Sequence, residues 1–301
     1  MRPISREKNA TKLQSVEEAP ELLREAMLPI LKSEDAIQLL LLSPTLELPD
    51  GDSAATLLGV LETGWIVASM AKNLTPSTVR VSFAETLSVE FSLGTVFGRV
   101  KLDYAANGAA QSAFICFHSA MEPLFKEAVR LLLNGIDGIA SGPPTADGRL
   151  NILLQGIPAP FRNAAHEFRP FSQCVLAVRY WPAAIAGCVA WFRREWRPKG
   201  MMLLTERELI LILQTKTKVQ IGLNKQTHGG HIATYCPLSR LQTWCIEKTA
   251  RLIRLELNLC TDRGGLTIQT ELPRPMEQYL RDFMELTMEQ RKAVDLTEPY
   301  S

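Results

Sequence analysis

The sequence RVKLDYAANGAAQSAFICFHSAMEPLFKEAVRLLLNG, residues Arg99–Gly135, contains two regular hydrophobic patterns in succession. In its first half apolar and polar residues alternate from Val100 to Tyr104, which is the period of a strand with one buried face. Asn107-Gly108 follows, and this dipeptide is typical of a tight hairpin turn. The pattern therefore predicts a β-hairpin that ends near Phe117.

The second half of the stretch predicts an amphipathic helix. Apolar residues recur there at the i, i+3, i+4, i+7 spacing from Met121 to Leu133. Ser119 and Glu122 have the spacing of a capping box, and Asn134-Gly135 is a typical helix stop. A hairpin followed by a helix is thus expected.

The same design returns further along the chain, where Met276 takes the place of Met121 (276 − 121 = 155). RLELNLCTDRGGLTIQTEL, residues Arg254–Leu272, repeats the alternating hairpin, with Arg263-Gly264-Gly265 as its turn. PRPMEQYLRDFMELTMEQ repeats the helix. Its expected apolar stripe consists of Met276, Tyr279, Leu280, Phe283, Met284, Thr287 and Met288.

The repeat extends towards the N-terminus with smaller offsets. SFAETLSVEF aligns with YCPLSRLQTWCI, which places Leu87 on Leu241 (241 − 87 = 154). LETGWIVASM aligns with LTERELILIL, which places Ile66 on Leu209 (209 − 66 = 143). The two offsets differ by 11 (154 − 143), which predicts a longer loop in the second copy, around residues 214–233.

A segment rich in Gly, Pro, Ser and Asp, NGIDGIASGPPTADGR, separates the two copies. We therefore predict a flexible N-terminal segment at 1–18, one domain at 19–138, a linker at 139–149, a second domain at 150–292 and a tail at 293–301.

The second half resembles the bacterial pleckstrin-homology-like (PH-like) families. The residues that carry the resemblance are GMMLLTERELILI, Gly200–Ile212, and YCPLSRLQTWCIEK, Tyr235–Lys248. The first half departs from the pattern, because Thr63-Gly64-Trp65 replaces Thr-acidic-Arg and residues 83–87 lack Pro-Leu-Ser.

The resemblance implies a mainly β chain with terminal helices. It would form two tandem PH-like β-sandwich or open-barrel domains, each closed by a C-terminal α-helix. Such scaffolds bind lipid headgroups, peptides or copies of themselves, and they seldom catalyse reactions. Fold alone does not fix function.

Composition excludes a general electrostatic pull. Lys and Arg number 33 against 32 Asp and Glu, so the net charge of +1 does not favour nucleic acid as a partner.

The expected location follows from the cysteines and the apolar runs. The six cysteines are spread singly, which is typical of reduced thiols. The first residues lack a signal-peptide core, and the longest apolar run, residues 182–192, is too short for a membrane span. We expect a cytoplasmic protein.

The basic segment 193–199 is the first candidate site. Arg193, Arg194, Arg197 and Lys199 surround a single acidic residue, and two tryptophans are interleaved with them. Such a run suits anionic headgroups at a membrane surface, where each basic residue contributes about 1 kcal/mol. The alternatives are a solvated strand entry and a contact with protein or nucleic acid.

An aromatic group is the second candidate. Tyr180, Trp181, Trp191 and Trp196 would form an association surface, because Trp, Tyr and Arg dominate interface energetics. The alternative is that at least two of the four rings belong to the core. Tandem domains of this type also have strand edges, which can pair within or between chains.

Catalytic and metal sites have little support. His228, His231 and Cys236 suggest a metal site, but Asp and Glu are absent from residues 215–241, where a further ligand would be needed. Gly-x-Ser-x-Gly and phosphate-loop motifs are absent.

We therefore predict no catalytic residue, metal or cofactor. The expected function is non-enzymatic binding or scaffolding through protein partners or self-association. The alternative is reversible binding to anionic membranes through the basic segment.

Overall fold

A computed structural model describes residues 10–48, 51, 53–70, 75–138, 148–169, 173–186, 195–221, 224–249 and 252–297. These residues form two compact units. The first unit groups residues 1–104, 111–140 and 216–230, and the second groups residues 105–110, 141–215 and 231–301. The chain is mainly β with a few helices, including one at its C-terminus, which confirms that part of the predicted fold class.

The first unit contains two α-helices and most or all of each of the first eight strands. In chain order they are β1 (Thr11–Lys12), α1 (Glu21–Met27), β2 (Ile37–Ser43), β3 (Thr56–Leu61), β4 (Gly64–Met70), β5 (Pro76–Ser82), β6 (Thr86–Leu93), β7 (Phe97–Ala106), β8 (Ala109–His118) and α2 (Glu122–Ile136). Strands β1 to β5 form an antiparallel sheet in that order. Strands β6, β7 and β8 lie side by side.

The β1–β5 sheet buries both of its faces. One face packs on α1 and the segment before it, with Leu57, Ile66 and Ala68 in contact with α1 residues such as Leu23 and Met27. The opposite face follows from the alternation of side chains along a strand, and it carries Trp65. The Trp65 indole is fully buried, and its Nε1 donates a hydrogen bond to Thr86 Oγ1 over 3.0 Å.

The second unit contains the remaining strands and helices, apart from residues 216–230, which are grouped with the first unit. They are α3 (Gly148–Leu153), α4 (Ala159–Phe168), β9 (Val175–Trp181), β10 (Ala184–Ala186), β11 (Glu195–Arg197), β12 (Gly200–Thr205), β13 (Glu208–Ile221), β14 (Asn224–Pro237), β15 (Leu241–Lys248), β16 (Leu252–Thr261), β17 (Gly264–Pro273) and α5 (Glu277–Thr297). Strands β9, β12, β13 and β14 are neighbours, and β15, β16 and β17 form an antiparallel sheet.

The element bounds of the two halves correspond. Strands β6, β7 and β8 and helix α2 begin at one constant offset before β15, β16, β17 and α5, respectively (241 − 86 = 155 for the first pair). Strands β3 and β4 share another offset from β12 and β13 (200 − 56 = 144 for the first pair). Irregular registers also recur, between Thr86 and Ser88 in β6 and between Leu241 and Thr243 in β15. Five strands and a helix of the first half therefore recur in the second half in the same order.

Two details of the predicted repeat are wrong. Leu241 is the counterpart of Thr86 and not of Leu87, because Leu241 pairs with Leu259 and Thr86 pairs with Tyr104, and the two pairs share one offset (241 − 86 and 259 − 104). Ile66 likewise corresponds to Ile210, one residue beyond the predicted Leu209. A shift of one residue matters, since it moves each side chain to the other face of the sheet.

The predicted long loop at residues 214–233 is also wrong. Most of the extra residues lengthen β13 and β14, and each of these strands has 14 residues. Alternating β-branched and polar residues in QTKTKVQI favour an extended strand over a loop.

Glycines make room for large rings in both halves. In the second unit, a Cβ atom at Gly200 would lie 2.1 Å from Cζ2 of Trp181, whose side chain is fully buried. In the first unit, a Cβ atom at Gly98 would lie 2.3 Å from Cζ of Phe117. Each half thus fills its core with its own pair of a large ring and a glycine.

We expect Gly200→Ala to lower the free energy of unfolding by about 1–3 kcal/mol, because the added methyl overpacks the site against Trp181. Chemical denaturation measures this loss. Gly148→Ala is the matched control, since nothing lies within 4 Å of a Cβ atom at that position. Trp181→Phe removes the clashing part of the ring, so the double variant should lose less than the sum of both single losses. A simple sum would contradict this packing.

Candidate functional site

The basic segment is only partly described. Arg193 and Arg194 lie outside the described residues. Arg197 is half-buried, and its Nε donates a hydrogen bond to the carboxylate of Glu271. Glu271 also pairs with Arg254, whose guanidinium lies 2.9 Å from Glu247. Arg197 is therefore part of a cross-strand ion-pair network, and anion binding would have to compete with Glu271. Lys199 is exposed.

The aromatic group is also only partly described. Trp181 is fully buried, so this ring belongs to the core. Tyr180 is half-buried, and its ring lies 5.1 Å from that of Phe161. Burial raises the pKa of the Tyr180 hydroxyl, which keeps its proton. Trp191 and the side chain of Trp196 lie outside the described part of the chain.

His231 is half-buried beside Phe161, with 5.4 Å between the ring centres. Burial lowers the pKa of His231, and its Nε2 has no hydrogen-bond partner among the described atoms. The side chain of His228 lies outside the described residues, while Cys236 is buried. Within the described residues, no group of three His, Cys, Asp or Glu side chains is placed to hold a metal ion.

A buried polar cluster closes the turn between β12 and β13. Glu208 is fully buried, and its Oε1 accepts a hydrogen bond from Gln173 Nε2 over 2.8 Å. The Thr205 hydroxyl lies 2.8 Å from Glu208 Oε2 and accepts a hydrogen bond from the Glu208 backbone N–H. Thr205 and Glu208 are both inaccessible to solvent, and their hydrogen bonds join the two ends of the turn.

Two aromatic rings that were not predicted as site residues are exposed. Phe114 is 48% exposed, and the guanidinium of Arg99 lies 5.5 Å from its ring centre. Tyr279 is 56% exposed, with Arg179 5.9 Å from its ring centre. Strand periodicity could have revealed Phe114, because it shares the polar face of β8 with Ser112. Tyr279 was expected in the buried stripe of α5, but it lies at the edge of that stripe and faces solvent.

The first unit also has a groove of about 390 Å³ between β4, β5, β7 and β8. Its lining is partly hydroxylic and partly apolar. The volume lies within the range of about 300–1,000 Å³ that is usual for ligand sites. Sequence reasoning missed this groove, because its lining combines residues from four strands.

No family model matches the chain, and no curated protein matches it at a significant level. Among the described residues, no helix is both long enough and apolar enough to span a membrane.

Proposed function

We propose that the protein is a non-enzymatic binding or scaffolding protein made of two tandem PH-like domains. Five strands and a helix recur in the same order in both halves, and this repeat supports the proposal, since each PH-like scaffold consists of several strands closed by one C-terminal helix. Its surfaces bind protein partners or other copies of the chain.

The exposed face of α5 carries the proposal. Tyr279 is 56% exposed and Leu286 is 41% exposed, and their i, i+7 spacing places them on one side of the helix. Arg179 lies over the Tyr279 ring. Exposed aromatic, apolar and arginine side chains in one patch are typical of residues that dominate protein interfaces.

Truncation of this patch tests the proposal. We expect Tyr279→Ala to weaken association about thirtyfold, which corresponds to about 2 kcal/mol for an interface hot spot. Light scattering at increasing protein concentration measures self-association as a mass above 33.5 kDa. Gln278→Ala is the matched control, because Gln278 is an exposed polar neighbour on the same helix.

Two results together would contradict the proposed surface. The first is a monomer at all concentrations. The second is an identical set of cross-linked partners for the native chain, Tyr279→Ala and Gln278→Ala. An interface at Tyr279 requires at least one of these measurements to respond to Tyr279→Ala alone.

The alternative function is reversible binding of anionic headgroups through the basic segment. Lys199 is exposed and available for this role. Arg197 supports it less, because Arg197 already pairs with Glu271. Sedimentation with anionic liposomes separates the two functions. Membrane binding is favoured if Arg197→Ala and Lys199→Ala abolish sedimentation with the liposomes and Tyr279→Ala does not.

A further inference from the structure

Two edge strands supply six of the nine described residues that line the groove in the first unit. Residues 77–79 of β5 and residues 112–114 of β8 line it consecutively. Successive side chains of a strand point to opposite faces, so three consecutive lining residues bring the backbone edge itself to the groove. In the described part of the chain, β5 and β8 are each the last strand of their sheet. Such edges present unpaired N–H and C=O groups.

The lining selects an uncharged occupant. Of the described residues that line the groove, five carry hydroxyl groups: Ser69, Ser77, Thr78, Tyr104 and Ser112. The others are Val67, Val79, Ala113 and Phe114, and none of the nine is charged. A charged group that entered the groove would lose hydration without gaining an ion pair. Arg99, which lies over Phe114, already pairs with Glu90 at 2.8 Å.

The hydroxyl groups add further capacity for neutral hydrogen bonds. Tyr104 Oη donates a hydrogen bond to Gln111 Oε1 over 3.0 Å, and it can accept another. Burial raises the pKa of Tyr104, so this hydroxyl stays neutral at physiological pH. The small side chains of Ser69 and Ser77 allow a close approach of a second backbone.

We infer that the groove receives an extended, uncharged segment of a partner protein, which adds as a strand to the edge of β5. Main-chain hydrogen bonds to the strand edge hold the segment, and alternate aliphatic side chains pack on Val67, Val79 and Phe114. This inference rests on the proposed function, because it names the kind of partner that the protein binds, and it places that partner on a different surface from Tyr279.

Amide spectra of the full chain test the inference with a defined probe. The probe is a blocked peptide of alternating threonine and valine. Two comparison peptides carry proline or glutamate at every second position. We expect the Thr/Val peptide to shift the amide signals of residues 77–82 and 109–118. We expect the proline peptide, which lacks the alternate N–H groups, and the charged peptide to bind at least about tenfold more weakly.

Variants of the groove complete the test. Ser69→Arg fills the groove with a charged side chain, and Phe114→Ala removes its exposed rim. Each should weaken the Thr/Val peptide about tenfold or more. Ser33→Arg and Ile37→Ala are the matched controls, because these exposed residues do not line the groove. If Ser69→Arg does not fold, Phe114→Ala still tests the groove. Phe114 is half exposed, so its truncation should leave the fold intact.

Equal binding of all three peptides, shifts outside β5 and β8, or no binding of the Thr/Val peptide would each overturn the inference. A dimer that dissociates on Phe114→Ala would also overturn it and assign the groove to a second copy. If Tyr279→Ala still weakens association, these results contradict only the groove inference and not the proposed function. If only the Tyr279 test fails, the groove inference is not contradicted.

Discussion

Phe125→Ala should lower the free energy of unfolding of the first unit by about 3–5 kcal/mol, the usual cost of removing a buried phenylalanine. Phe125 is fully buried in α2. Its ring stacks on Phe117 with 4.1 Å between the ring centres, and Phe117 lies 5.8 Å from Phe91. Truncation leaves a cavity where the helix meets the sheet.

Hydrogen exchange detected by mass spectrometry resolves this loss by unit. Amides of α2, β6 and β8 should lose protection, whereas those of β15 to β17 in the second unit should keep theirs. Leu124→Ala is the matched control, because Leu124 is the half-buried neighbour on the same helix. Equal losses for Phe125→Ala and Leu124→Ala would show that the ring stack does not anchor α2.

Much of the fold could be predicted, because periodicity and turn residues act locally. The hairpins and the helices α2 and α5 follow from alternation, from Asn107-Gly108 and from the helical stripe. The register of β6 and β15 could not be predicted, since an irregular pairing depends on the neighbouring strand. Matching Leu87 to Leu241 by residue type therefore placed the alignment one residue off.

The candidate site was harder to predict than the fold. Sequence alone made Arg197 a candidate for anion binding and Trp181 a candidate for an association surface or the core. In the structure Glu271 pairs with Arg197, and Trp181 lies in the core. Both outcomes depend on residues distant in sequence. The exposed rings of Phe114 and Tyr279 are noticeable only when the buried face of each element is known.

The repeat helps to separate the fold from what is particular to each half. Glu208, the buried acid of the Leu-Thr-Glu-Arg-Glu strand, has Gly64 as its counterpart in the first unit, at the start of β4. A Cβ atom at Gly64 would lie 2.1 Å from the carbonyl oxygen of Val81, so backbone packing occupies the corresponding space there. The second unit instead uses a polar cluster at this turn.

Glu208→Ala should therefore lower the free energy of unfolding of the second unit by about 2–4 kcal/mol. The substitution removes the acceptor of Gln173 Nε2 and a polar contact of the Thr205 hydroxyl, and both residues are buried. The buried Gln173 Nε2 loses its acceptor, which costs about 1–3 kcal/mol, and the lost side-chain volume adds a cavity. The Thr205 hydroxyl keeps Gln173 Oε1 as a partner over 2.6 Å.

Glu206→Ala separates this effect from a general loss of negative charge near the turn. Glu206 is two residues away and exposed, and its carboxylate makes one long contact of 3.4 Å with the Cys174 N–H. We expect less than about 1 kcal/mol for Glu206→Ala, as is usual for exposed sites. Glu208→Gln should fall between the two, because it keeps the volume but places an amide donor near Gln173 or Thr205. If Glu208→Ala were as stable as Glu206→Ala, the cluster would not hold the β12–β13 turn, and the buried acid would need another explanation.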